Sequence, residues 1–169
     1  DAYYDLQFIP DSNTGSGYVG YARDFGTDNR GTYKTTDSGA TWTKINDIAY
    51  MEYEFPSENI GYARSSKTPG SALTMFDECQ CEDGTYKTTD GGITWNKISD
   101  DVYHWLSFIS DEIGYGRVGG EWTSQIFKTI DGGQSWQPIN NNDTDSNGET
   151  YSHINFISEN SENNLEGTI

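Results

Sequence analysis

The chain has 169 residues, enough for one ordinary domain. Its formal net charge is −17 and it holds only three Val and four Leu, a pairing that leans toward disorder, but 14% Phe, Trp and Tyr leans the other way. The acidity argues against a nucleic-acid partner, which needs clustered Lys and Arg, and no apolar run is long enough for a transmembrane helix. Two cysteines, Cys79 and Cys81, are too few for a disulfide framework. Nineteen glycines and four prolines point to short strands and tight turns. The sequence opens on Asp1 rather than Met, which reads as a processed or excised chain, and its Asn/Asp-rich loops fit an extracytoplasmic location.

In chain order, one pattern comes three times. It opens with Leu6-Gln7-Phe8, whose apolar and polar residues alternate at the period of a half-buried strand. Gly20-Tyr21-Ala22-Arg23 follows, then Tyr33-Lys34, then Thr35-Thr36-Asp37-Ser38-Gly39-Ala40-Thr41-Trp42. The second round reads Tyr53-Glu54-Phe55, Gly61-Tyr62-Ala63-Arg64, Tyr86-Lys87 and Thr88-Thr89-Asp90-Gly91-Gly92-Ile93-Thr94-Trp95. The third reads Leu106-Ser107-Phe108, Gly114-Tyr115-Gly116-Arg117, Phe127-Lys128 and Thr129-Ile130-Asp131-Gly132-Gly133-Gln134-Ser135-Trp136. Ile154-Asn155-Phe156 opens a fourth, and the pattern stops after Ser158.

Each round predicts four short strands. The first ends at the Phe, the second is Gly-Tyr-x-Arg, the third is aromatic-Lys-Thr, and the fourth starts at the Trp. Four-stranded units at this period are propeller blades. The expected fold is therefore an all-β partial β-propeller of four-stranded antiparallel blades, a single domain over 1–169. Blade 1 falls at about 3–46, blade 2 at about 48–99 and blade 3 at about 101–140. The first strand of a fourth blade falls at about 151–158. Closed propellers need more blades than three. Further blades elsewhere, self-association of chains to close a ring, or a free-standing open array all remain open.

The Asp-centred block has a physical job, which is to turn the third strand into the fourth. Its carboxylate (Asp37, Asp90, Asp131) can accept turn amides, and its glycine (Gly39, Gly92, Gly133) takes positive φ. Its tryptophan (Trp42, Trp95, Trp136) buries a large apolar area. These residues resemble the Asp-box, or bacterial neuraminidase, repeat. With Gly-Tyr-Ala upstream, the chain is most similar to propellers of the photosystem II stability/assembly factor type. Sortilin-type receptor propellers and xyloglucanases are similar at this level. The resemblance implies Asp boxes on the outer rim and no single activity.

It also implies that Arg23, Arg64 and Arg117 lie on the face opposite the Asp boxes, a candidate anion-binding trio. The alternative is that each arginine pairs with a carboxylate of its own blade. The Arg-Ile-Pro or Arg-Leu-Pro segment of sialidases is missing, since Phe8-Ile9-Pro10 has no Arg before the Ile. Asp5, Glu52 and Glu54 are candidates to line a central channel. Twelve extra residues fall within about 65–84 of blade 2, and Trp122 lies in the corresponding loop of blade 3, where it could stack on a sugar or a partner. Cys79 and Cys81 fit either a disulfide or two free thiols, and no structural zinc is expected. Asp143, Asp145 and Asn147 have the oxygen spacing of half a calcium loop, but Ile154 stands where an EF-hand needs Glu. No cofactor is expected apart from that candidate calcium. The reading is a non-catalytic, exported module that binds a protein. The alternatives are a fragment of a glycoside hydrolase, sialidase- or xyloglucanase-like, and a glycan-binding module.

Overall fold

A computed structural model describes residues 4–26, 28–65, 81–103, 105–120 and 123–139. Over these the chain is all-β, with three four-stranded antiparallel sheets. Blade 1 holds β1 (Tyr4–Pro10), β2 (Tyr18–Asp24), β3 (Gly31–Thr35) and β4 (Thr43–Asn46). Blade 2 holds β5 (Glu52–Glu54), β6 (Gly61–Ser65), β7 (Gly84–Thr88) and β8 (Asn96–Ser99). Blade 3 holds β9 (Trp105–Phe108), β10 (Gly114–Gly120), β11 (Thr123–Thr129) and β12 (Gln137–Pro138). In each sheet the strands lie side by side in sequence order, the meander of a propeller blade.

The registers of the three sheets coincide. Tyr21 faces Lys34 and Arg23 faces Thr32; Tyr62 faces Lys87 and Arg64 faces Thr85; Tyr115 faces Lys128 and Arg117 faces Ile126. The Asp-centred turns follow Thr35, Thr88 and Thr129, three residues further along the same strands. Each arginine therefore sits about 10 Å from the turn end of its sheet. The fourth strand begins one residue later than expected, at Thr43, Asn96 and Gln137. The tryptophan stays in the turn, and in blade 2 its indole N–H is tied to the Gly92 carbonyl at 3.0 Å.

The core lies between blades rather than inside one. Each blade has a front face toward the preceding blade and a back face toward the next. Tyr21 on the back of blade 1 stacks on Phe55 at the front of blade 2, with ring centroids 3.5 Å apart and planes at 2°. Tyr62 stacks on Phe108 in the same way, at 3.4 Å and 0°. Phe55 also meets Trp95 edge-on at 5.8 Å, and Phe108 meets Trp136 at 6.0 Å. Tyr50 and Tyr103, each 1% exposed, complete the two clusters. A glycine at the start of the second strand makes room for the Phe ring. A Cβ on Gly61 would lie 2.5 Å from Phe55 Cε1, and one on Gly114 would lie 2.4 Å from Phe108 Cε1.

Candidate functional site

The Asp-centred turns are closed hydrogen-bond units. In blade 2, Asp90 Oδ1 accepts the Thr94 N–H at 2.9 Å, while the Thr94 hydroxyl donates to Oδ2. The buried Thr88 hydroxyl donates to Asp90 at 2.8 Å and accepts the Gly92 N–H at 2.9 Å. Blade 1 repeats this with Thr35, Asp37, Gly39 and Thr41, and blade 3 with Thr129, Asp131, Gly133 and Ser135. The Thr35 and Thr41 hydroxyls hold the Asp37 carboxyl down at about 2. The Ser135 hydroxyl and N–H do the same to Asp131. Gly39, Gly92 and Gly133 take φ of 92°, 90° and 82°, the left-handed region that favours glycine. The part of the first threonine of each block was not visible in sequence, because its hydroxyl serves as donor and acceptor at once.

Arg23 and Arg64 end on carboxylates one strand away. Arg23 Nη2 pairs with Asp5, and Nη1 donates to the Tyr50 carbonyl of blade 2 at 2.7 Å. Arg64 Nε donates to Glu52 at 2.7 Å, with the two side chains 15% and 23% exposed. Blade 3 differs: Arg117 faces Trp105 across β9, where Arg64 faces Glu52 across β5. The Arg117 Nε is buried without a hydrogen-bond partner among the described residues. Asp5 and Glu52 are thus engaged by arginines of their own blades. The charge of an acidic chain is balanced locally at two of the three positions.

Glu54 is the acid that sequence reasoning placed beside Glu52 without seeing its surroundings. It accepts the Phe108 N–H of blade 3, and the Ser107 hydroxyl approaches it at 3.4 Å. Burial pushes its carboxyl up to about 7, and the like charge of Glu52 adds to this, against the opposing Phe108 and Ser107 hydrogen bonds. Gln7 occupies the equivalent place in blade 1. Its Oε1 accepts the Phe55 N–H at 2.8 Å and its Nε2 donates to the Phe55 carbonyl at 3.1 Å. Gln7 and Glu54 thus each tie one inner strand to the next, and at the first interface the Tyr53 hydroxyl also donates to the Asp5 carbonyl at 3.1 Å.

Cys81 is disulfide-bonded, and its sulfur lies 3.0 Å from the Ser65 hydroxyl. Cys79, Trp122, Asp143, Asp145, Asn147 and the segment 151–158 lie outside the described residues. Among the described residues no three His, Cys, Asp or Glu come together to hold a metal, and no helix is long and apolar enough to cross a membrane.

No family model matches the chain. It is similar to a xyloglucanase of a Paenibacillus species, 26% identical over 122 residues that make 70% of this chain and 11% of that protein. It is also similar to vacuolar protein sorting/targeting protein 10 of Eremothecium gossypii, 31% identical over 78 residues that make 46% of this chain and 5% of that protein. The crystal structure of an ancestral GH74 enzyme superposes with a TM-score of 0.51 at 15% identity, over 81% of this chain and 18% of that one. The chain shares that fold, the β-propeller. It spans a small part of the length of the curated relatives it matches, 11% and 5%.

Proposed function

We propose that this chain is a polysaccharide-contacting part of an exported Asp-box propeller of the glycoside-hydrolase kind. The observation that carries the reading is the similarity to a xyloglucanase along 70% of the chain, on a fold shared with a GH74 enzyme. The disulfide at Cys81 supports an oxidising compartment. The contact side is the end of the sheets away from the Asp-centred turns, where Arg23, Arg64 and Arg117 lie, where the long connection after β6 leaves, and where the short β10–β11 connection carries Trp122. Variable loops on a rigid scaffold are where recognition concentrates. The inner-strand acids Asp5, Glu52 and Glu54 each have a partner in the scaffold, so this part contributes binding, and hydrolysis falls to carboxylates elsewhere in the propeller.

Affinity electrophoresis in gels containing xyloglucan, with cellulose and mannan as comparisons, tests this. Retardation in xyloglucan is expected, reduced by Trp122→Ala without a change in melting temperature. Mobility unchanged in every polysaccharide refutes it. A second reading, a receptor-like propeller that binds a protein, is favoured by the 31% identity to vacuolar protein sorting/targeting protein 10. Lack of retardation in all gels, with peptide-array binding lost in the same Trp122 variant, would favour it.

A further inference from the structure

We propose that the back face of blade 3 is built to receive the chain's own segment 151–159. The argument starts from the two interfaces already formed, which share one latch. A Tyr of β2 or β6 stacks on the next blade's Phe, Tyr21 on Phe55 and Tyr62 on Phe108. Its hydroxyl donates to the carbonyl three residues beyond that Phe, Glu58 at 2.6 Å and Asp111 at 2.7 Å. A Lys from the neighbouring strand lies over the Tyr ring, Lys34 at 5.2 Å and Lys87 at 5.1 Å. The same lysines press on the next blade's turn glycines, Gly91 and Gly132. A Cβ there would lie 2.8 Å from Lys34 Nζ and 2.4 Å from Lys87 Nζ.

The back of blade 3 carries the same half of the latch. Lys128 lies 5.7 Å over the Tyr115 ring, and Ser107 stands where Gln7 and Glu54 reach for the next Phe N–H. Tyr115 is half-buried, whereas Tyr21 and Tyr62 are fully buried.

The receiving half is written in the sequence after blade 3. In blades 2 and 3 a buried Tyr precedes the latch Phe by five residues, Tyr50 before Phe55 and Tyr103 before Phe108, and an acid follows by three, Glu58 and Asp111. Tyr151, Phe156 and Glu159 reproduce both spacings. Residues 140–150 supply a tether of up to about 36 Å, against about 10 Å between packed sheets.

A second copy's blade 1 is the rival occupant, and its front face lacks the receiving groups. That face is apolar, with Phe8 43% exposed where Phe55 and Phe108 are 0% and 5%. However, Ser38 stands in place of Gly91 and Gly132, at φ 59°, and its Oγ accepts the Tyr18 N–H. Blade 1 has a longer connection here: the carbonyl three residues ahead of Gly20, as Glu58 is ahead of Gly61, is Gly17, which already accepts the Asp11 N–H at 3.1 Å, and the one three residues beyond Phe8 is Asp11, which accepts the Gly15 N–H at 3.2 Å. An incoming Tyr–Lys pair meets a side chain where the latch has a glycine, and an acceptor that is in use.

Hydrogen–deuterium exchange on the full chain tests the assignment. Amides within 154–159 should exchange at least tenfold slower than in the free peptide, at every protein concentration, and Tyr115→Ala should restore fast exchange. Urea unfolding of Phe156→Ala, Tyr115→Phe and the double variant gives an independent reading, because Tyr115→Phe keeps the ring. That variant removes only the hydroxyl, whose bond to the carbonyl of residue 159 needs the segment seated, so the double variant should lose less than the product of the single effects, by about twofold to tenfold in the folding equilibrium constant. Free-peptide exchange rates, strictly multiplicative effects, or protection that vanishes on dilution would each overturn the proposal. The last of these would assign the face to a second copy.

Discussion

Replacing Glu54 by Gln should make the protein more stable at pH 8 and remove one component of its pH dependence. The structure supplies both the cause and the size. Glu54 sits between blades 2 and 3 with its carboxyl raised from an ordinary 4.5 to about 7, burial being the main cause. The native state therefore holds on to a proton that the unfolded chain has already released. Stability from this group is fully present below about pH 4.5, falls as pH rises toward 7, and stays low above it. The shift amounts to roughly 3 kcal/mol across that window. The groups that face it are Glu52, which raises the value, and Ser107 with the Phe108 N–H, which lower it. A glutamine is already tried at the equivalent place, since Gln7 makes two hydrogen bonds to Phe55. Urea unfolding followed by tryptophan fluorescence at pH 4, 5, 6, 7 and 8 measures the effect. Glu54→Gln should match the parent near pH 4 and exceed it by up to about 3 kcal/mol at pH 8. A variant equal to or less stable than the parent at pH 8, with an unchanged pH slope, refutes the reasoning.

Gly61→Ala pushes a methyl to 2.5 Å from Phe55 Cε1 and 2.9 Å from Thr88 Cγ2, so it should cost about 1–3 kcal/mol in chemical denaturation. Asp90→Ala strips the Thr94 N–H and the Thr88 and Thr94 hydroxyls of their acceptor, and should cost about 1–3 kcal/mol by the same measurement. Arg64→Ala leaves Glu52 part-buried without its partner, and a loss of about 1–3 kcal/mol is expected. An unchanged melting temperature for this variant would mean that the pair contributes nothing to stability. Asp37 and Asp131 are held near 2, below the ordinary 3.8, so acid titration followed by circular dichroism should show stability falling as pH drops from about 4 to about 2.

The sheets were legible because their signals are local and repeated. Gly-Tyr-x-Arg, aromatic-Lys and Asp-Gly-x-Thr-Trp recur in one order, and that order is the strand order of each blade. The interfaces were less legible, because a latch joins residues 34 and 46 positions apart, Tyr21 to Phe55 and Tyr62 to Phe108. Sequence marked Tyr and Phe as repeated without saying that one stacks on the other across blades. Arg23, Arg64 and Arg117 look equivalent in sequence, yet their environments differ in what lies across the ladder, a carboxylate for the first two and Trp105 for the third. Glu54 shows the same limit. As a residue type it is one acid among 27, and only the packing of β9 against β5 makes it unusual.

The scarcity of Val and Leu follows from where the core lies. A sheet packed face to face against its neighbours needs broad, flat side chains at a few fixed positions, and a stacked Tyr–Phe pair flanked by a Trp and a second Tyr fills the gap at each interface. Polar ends let those rings hold register, as the Tyr21 and Tyr62 hydroxyls do on Glu58 and Asp111 carbonyls. This arrangement makes stability depend on nearest neighbours, as in other repeat architectures. A blade that loses its neighbour loses half of its core, which is why Phe8 at the front of blade 1 is 43% exposed while Phe55 is buried. A change at one latch should therefore weaken the two blades it joins far more than the remaining one. That locality separates an inter-blade core from a shared central one, because a central core would spread the loss over all three sheets.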